Sequence, residues 1–523
     1  MGEAYPPSLI IDFAHPFATD LNPQMRKMNH FTRLENIIPE ADNTLRKAGG
    51  STRINSTAIT GTPNIMGMFD YWRAGTSGSF TQKFMAFTAD SKIYKEDMDG
   101  TFDDITGGAT LTADAVPVFS VFDDILIITD SAGDTPLSWN QTGNVASLAG
   151  SPPAGRGSVE HVNRAWMWAP DANPSRIHYS AYGDPETWTG SDTGFLDIAT
   201  DDGDRIVGAV SYKGNLIVFK GPNKGSIHPI IGRTPGDFER DPHIVKGIAL
   251  QTHNSIIPVA DDVWYMSRRG IHSLKATFAQ GNYAEADLSR YQHKFFRDQV
   301  SLTTTNLPRV WGANYANKSC ALWTLTQAGQ TDPAIAFGIS YIDPEHLRPF
   351  IWTSRSCFSA ATRINPTTGI EEIIFGTTNG FCERQDMATR TLANNSSIPM
   401  VVETPQIIIA AEAPRGDQMV NMEWAYLKSQ PLGDWDVTLK IQRDSQAAEA
   451  YTFNQGSAGF ILGTSVLGTG ILGGNFAQTA KVKLVGQCRS AKFTLEQNGI
   501  GQDANLYELG IDWSPAANTA VAS

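Results

Sequence analysis

An all-β chain dominated by a β-propeller is predicted by three observations. The first is composition: among 523 residues, Gly and Pro number 47 and 28 while only 18% of residues are charged, which suits many short strands joined by tight turns better than long surface helices. The second is an internal repeat of about 48 residues, close to the span of a four-stranded propeller blade. The third is a two-residue polar turn that recurs ahead of each repeat, as a β-hairpin requires. With 41% hydrophobic and 10% aromatic residues the chain can bury a core, and its length predicts roughly two to four domains.

The repeat unit is an apolar run, a polar turn and a second run entered by a small residue. It reads FMAFTADSKIYK from Phe84, ILIITDSAGDTPLSW from Ile125, AWMWAPDANPSRIHYS from Ala165 and LIVFKGPNKGSIHPI from Leu216. Further copies are VWYMSRRGIHSL from Val263 and EIIFGTTNGFCER from Glu372. The second-run anchors are Ile93, Leu137, Ile177, Ile227, Ile271 and Phe381. The last interval is doubled, and a degenerate copy around Phe337 fills it, giving about 6–7 blades. The turns preceding the runs are Phe122-Asp123-Asp124, Val162-Asn163-Arg164, Tyr212-Lys213-Gly214, Ala260-Asp261-Asp262 and Ala316-Asn317-Lys318. A β-sandwich with coincidental spacing is the competing fold. Residues 1–55 read as an N-terminal arm or platform segment with a short helix around Met25 to Glu35, residues 56–395 as the propeller, and residues 396–523 as a C-terminal antiparallel β-sandwich or platform.

Several function classes are disfavoured. The 41 basic and 54 acidic residues leave a net charge of −13, the wrong sign for sequence-independent DNA affinity. Cys320, Cys357, Cys382 and Cys488 are too widely spaced for a zinc knuckle or a disulfide framework and read as reduced core residues. Met1 to Pro7 lacks the basic and apolar regions of a secretory signal. The uncharged stretch from Gly456 to Ala480 is interrupted by Gly, Ser and Thr and reads as strands joined by Gly turns, not as a membrane span.

No catalytic or P-loop motif is present. The turn Glu96-Asp97-Met98-Asp99-Gly100-Thr101-Phe102 is similar to the Asp box of sialidases but lacks its opening Ser, and reads as a blade turn. Asp201-Asp202-Gly203-Asp204 offers oxygen ligands for calcium without the spacing of an EF-hand loop, and reads as a solvated turn. His178, His228 and His272 fall near successive anchors and read as packing or rim residues rather than metal ligands. The sequence therefore predicts no catalytic residue, no cofactor and no metal.

Three segments resemble a known family, the propeller-containing tail proteins of short-tailed bacteriophages, called tail nozzle, tail hub, tubular protein B-like or packaged-DNA stabilisation proteins. Leu34-Glu35-Asn36 through Thr44-Leu45-Arg46-Lys47-Ala48-Gly49-Gly50 is similar to the family's early N…LRKRxG segment, with Ala48 and Gly49 in place of its second Arg and Pro. Arg176, Tyr179, Ser180, Gly183, Asp184, Pro185, Glu186 and Trp188 match its "R…YS…GDPE.W" run. Leu216 to Lys220 followed by Val263 to Ile271 resembles its "L.VFK…G" and "vwf.S..Gi" strands.

The resemblance implies a structural virion protein without enzymatic activity, made in the host cytoplasm and assembled into the tail. It implies a ring, usually a homohexamer, contacting adaptor and portal-proximal proteins on one side and tail fibre or needle proteins on the other. Genomic DNA would pass through that conduit during packaging and ejection without tight binding, which the acidic charge suits. The alternative reading is a carbohydrate-binding or glycan-hydrolysing propeller, a receptor-binding tail module, for which 12 Trp and 14 Tyr supply stacking faces.

Overall fold

The computed structural model describes residues 8–14, 16–20, 30–75, 78–241, 245–274, 287–353, 355–409, 418–444, 446–455 and 477–516. Residues 1–7, residues 25–29 of the expected helix and residues 456–476 of the uncharged stretch lie outside them. The chain forms two compact units, one of residues 52–337 and 354–385, the other of residues 1–51, 338–353 and 386–523.

The first unit is built from separate antiparallel sheets that follow one another along the chain. Blade one comprises Ile65–Ala74, Phe80–Thr88, Lys92–Glu96 and Phe102–Asp104. Blade two comprises Pro117–Phe122, Ile125–Asp130, Leu137–Trp139 and Ala146–Ser147, and blade three Gly157–His161, Arg164–Trp168, Arg176–Tyr179 and Gly194–Asp197. Blade four is Arg205–Tyr212, Asn215–Gly221 and Ser226–Ile231 with two short outer strands, and blade five Ile257–Val259, Asp262–Ser267 and Gly270–Ser273. Blade six is Ser359–Ile364, Glu371–Gly376 and Cys382–Asp386. Its outer edge is completed by the chain just ahead of blade one, where Ile54 N donates to Cys382 O at 2.8 Å and Arg384 Nε to Thr52 Oγ1 at 3.2 Å. This is a six-bladed β-propeller.

A further pair of strands, Gly312–Tyr315 and Cys320–Thr326, stands between blades five and six and packs on both. The following strand, Pro333–Ser340, carries the degenerate repeat around Phe337 and leads the chain out of this unit. The count of 6–7 expected from the repeat thus resolves into six separate sheets plus this incomplete meander.

The repeat unit is the central hairpin of each blade. Ile93, Leu137, Ile177, Ile227 and Ile271 all lie on third strands, and Phe381 immediately precedes one. The polar turns fall where the pattern puts them: Phe122 faces Ile125, His161 faces Arg164, Tyr212 faces Asn215 and Val259 faces Asp262 across two-residue loops. Asp123 and Asp124 there have φ of 51° and 57°, and Val162 and Asn163 have 52° and 53°, the left-handed pair a type I′ turn demands. The fifth turn differs. Ala316–Lys318 is a short 3₁₀ segment with Ser319 in the left-handed region, so the loop between Tyr315 and Cys320 is longer than the pattern predicts.

Blades adhere through large side chains of the central strands. Trp166 and Trp168 are buried with Val118, Ile177, Ile206, Leu216 and Val218, which come from blades two, three and four. Each strand buries alternate residues against one neighbour and the intervening ones against the other, which explains why the second strands read as nearly continuous apolar runs.

The second unit consists of two β-sheets. One orders Ile37–Pro39, Leu45–Lys47, Asn505–Pro515, Val420–Ser429 and Gln478–Lys483, with Ser8–Asp12 also paired to Asn505–Pro515. The other includes Arg348–Trp352, Arg33–Glu35, Met400–Glu403, Ser490–Gln497, Asp436–Arg443 and Glu449–Asn454 in that order. Residues from the N-terminal segment therefore share sheets with residues from the C-terminal one. Leu9 and Ile11 are buried while Ile10 is exposed, the alternation of a strand with one covered face. Arg33–Glu35 is a strand rather than the end of a helix, because Arg33, Leu34 and Glu35 pair with Glu403, Val402 and Val401. Among the described residues no helix is long and apolar enough to cross a membrane.

Candidate functional site

The turn from Glu96 to Phe102 joins two strands of blade one, with Gly100 N donating to Glu96 Oε1 at 2.7 Å and Thr101 N to Asp99 Oδ1 at 2.9 Å. These carboxylates hold the turn.

The Asp201–Asp204 loop has a cation of its own. Lys220 is fully buried, and its Nζ donates to Asp202 Oδ1 at 2.6 Å, Ala199 O at 2.6 Å, Ile198 O at 2.9 Å and Ser175 Oγ at 3.1 Å. Asp204 accepts from the backbone N–H groups of Asn223, Lys224 and Gly225 at 2.8 to 2.9 Å. Of the carboxylates that looked available to calcium, Asp202 therefore pairs with an ammonium group and Asp204 caps backbone N–H groups. A single sequence cannot show this, because Lys220 approaches from the next blade.

His228 and His272 are buried and donate to, or accept from, Ser226 Oγ and Ser267 Oγ at 2.8 Å. His178 sits against Phe195, with ring centroids 5.6 Å apart. They are packing residues in three different blades, and among the described residues no three His, Cys, Asp or Glu side chains are grouped to hold a metal ion. All four cysteines are free and buried.

What sequence reasoning missed is a cavity of about 890 Å³ lined by the first strands of blades one, two, five and six and by the Gly312–Tyr315 strand. Strand alternation puts Met68, Asp70 and Trp72 of blade one on the same side. Asp70 accepts from Gln82 Nε2 at 2.8 Å, Trp72 Nε1 at 3.0 Å and the backbone N–H of Ile364 in blade six at 3.1 Å. Burial pushes its carboxyl above the usual range even though all three donors oppose that shift.

Glu371, in the second strand of blade six, also lines this cavity. Its carboxylate has no hydrogen-bond or ion-pair partner among the described residues, and burial raises its pKa. Arg363 brings the only guanidinium in the lining, but that group lies between Glu96 Oε2 at 3.3 Å and Glu372 Oε2 at 3.2 Å. The lining is therefore left with uncompensated acid. Aromatic surface adjoins it: Trp72 is 38% exposed, and Phe69 stacks on Phe119 with centroids 5.5 Å apart. Trp311, which is buried, contributes an indole N–H that has no partner among the described residues. Half-buried carboxyls of raised pKa in a concave aromatic setting are the pattern of a ligand site.

No protein-family model matches this chain, and no curated protein does. Among solved structures, an exo-β-1,3-galactanase from Phanerochaete chrysosporium with galactose is 9% identical, covering 89% of this chain and 100% of that one, with a TM-score of 0.28. A glycoside hydrolase is 10% identical over 86% of this chain and 99% of that one, at a TM-score of 0.25. The β-propeller domain of Cps50 (Swd1) from Myceliophteria thermophila is 10% identical over 64% of this chain and 98% of that one, at 0.38. The expectation of a chain without enzymatic activity is not upheld, since the similar solved structures include glycoside hydrolases. Likeness at these scores assigns no activity to this chain either.

Proposed function

We propose that this chain is a ring-forming tail subunit of a short-tailed bacteriophage, a nozzle or hub through which genomic DNA passes. The observation that supports this is what the family-like segments do here. In the second unit, Asn36 Nδ2 donates to Thr353 Oγ1 at 2.8 Å and Pro399 O at 2.7 Å. A Cβ on Gly50 would lie 1.9 Å from Thr391 O, so that position accepts no side chain. In blade three, Asp184 accepts from Glu186 N at 2.8 Å and Thr187 Oγ1 at 2.7 Å, and Trp188 Nε1 donates to Pro185 O at 2.8 Å. The residues that carry the resemblance are thus joints of the fold, as expected of a shared architecture. Electron microscopy of the purified chain and of the virion tests the proposal. A closed ring, six-fold by family expectation, supports it, whereas a monomer absent from the particle overturns it.

A second reading is favoured by the cavity. Its aromatic faces beside carboxyl groups suit a saccharide, consistent with a carbohydrate-binding or glycan-cleaving propeller. A glycan array read together with reducing-end release decides between binding and cleavage, and no signal in either removes this reading.

A further inference from the structure

The cavity's composition narrows its ligand. Phosphate, sulfate, uronic acid and sialic acid need an available cation, and the guanidinium of Arg363 is already shared by Glu96 and Glu372. An anion would meet the carboxylates of Asp70 and Glu371 instead. A purely apolar ligand would leave Glu371 and the Trp311 indole N–H without partners. A neutral polyhydroxylated ligand satisfies both constraints, since its C–H faces stack on aromatic rings while its hydroxyls donate to carboxylates and accept from an indole N–H.

We infer that this cavity binds a neutral oligosaccharide, with the Trp72 indole as the stacking face and the Glu371 carboxyl as the hydrogen-bonding partner of a sugar hydroxyl. The inference rests on the second reading above and assigns that reading to named side chains. Trp72 is held for this purpose by its Nε1 donation to Asp70, and Asp70 in turn is held by Gln82 and Ile364 N, so the ring plane is braced from blades one and six. Asp70 is a positioning residue. Exposed Ile364 and Ile370 extend the apolar surface beside Glu371 and provide contact for a chain longer than one sugar.

The test is calorimetric titration of the full chain with neutral hexasaccharides (maltohexaose, laminarihexaose and xylohexaose) and with anionic probes (oligogalacturonate and sialyllactose). Binding of a neutral probe is expected, with the anionic probes at least about tenfold weaker. Trp72→Ala is expected to weaken the neutral probe about tenfold, the size of a lost stacking contact. Glu371→Lys is expected to abolish binding, and because Glu371 is half-buried at a strand end this variant serves if Trp72→Ala fails to fold. Tyr182→Ala, which removes an exposed aromatic outside the cavity, leaves binding unchanged. If a neutral saccharide binds and both cavity variants bind equally well, the assignment to this cavity is overturned while the saccharide reading stands. If no neutral saccharide binds, both fall. Equal binding of an anionic probe overturns the charge argument.

Discussion

Acidification to pH 5 is expected to destabilise the propeller by several kcal/mol through three buried histidines. His161, His228 and His272 are each at most 3% exposed, and burial, as the first cause, holds each imidazole down at about 4 against an ordinary value of 6.5. His161 faces Ser211 Oγ at 2.9 Å and the Trp166 ring. His228 lies near Arg240, Lys220 and Lys246, which disfavour its protonation, and near Asp202, which favours it. His272 is set among His293, Arg269 and an opposing Asp287. Because the folded pKa is the lower one, the unfolded chain binds more protons as pH falls below 6.5, so stability is intact above that value and is lost progressively toward pH 4. At pH 5 the loss is about 2 kcal/mol per histidine, roughly 6 kcal/mol for three.

Asp130 works in the opposite direction. Burial and the neighbouring Asp134 raise its carboxyl to about 6, so its protonation stabilises the fold as pH falls and offsets part of the histidine loss. The histidine contribution alone is a large share of an ordinary folding free energy of about 5–15 kcal/mol. The assay is urea unfolding followed by tryptophan fluorescence at pH 7.5 and pH 5, on the native chain and on a variant carrying His161→Asn, His228→Asn and His272→Asn. The histidine share of the acid-induced loss, roughly 6 kcal/mol, is expected to be absent from the variant. An unchanged difference refutes the argument, because the protons would then be taken up elsewhere.

Other outcomes follow from the same contacts. Lys220→Ala leaves Asp202 and the Ile198 and Ala199 carbonyls facing a buried void, and a loss of about 3–5 kcal/mol is expected in thermal unfolding. Gly150→Ala puts a Cβ 1.6 Å from Glu186 O at a φ of +74°, so the Gly183–Trp188 loop must shift, with at least about 2 kcal/mol lost and faster hydrogen exchange in blade three. Arg363→Ala leaves the buried Glu96 carboxylate without its cation, while Glu372 keeps Arg384 and Asn365, and about 3–5 kcal/mol is expected to disappear from the same unfolding measurement.

The sequence's contribution was local. Each blade's central hairpin is written in about 12 contiguous residues, since apolar alternation and a two-residue turn act over neighbours in the chain. The Ala316–Lys318 loop departed from the pattern because a 3₁₀ turn and a two-residue hairpin draw on the same polar residues. The Asp201–Asp204 loop shows the limit more sharply. Its spacing departs from an EF-hand loop, but nothing near it in the sequence revealed that Lys220 pairs with Asp202.

By itself, then, the sequence determined that this is a chain of repeated antiparallel hairpins with a second β-rich unit, because strand period and turn chemistry are short-range. Only the tertiary structure decided that Ser8–Asp12 pairs with Glu508 to Asp512, that Arg363 is neutralised from two blades, and that Asp70, Trp72, Trp311 and Glu371 line one cavity. The cavity residues, from Asp70 to Glu371, are separated by up to about 300 positions, and what joins them is the closing of a ring of blades, in which the last sheet comes to lie against the first.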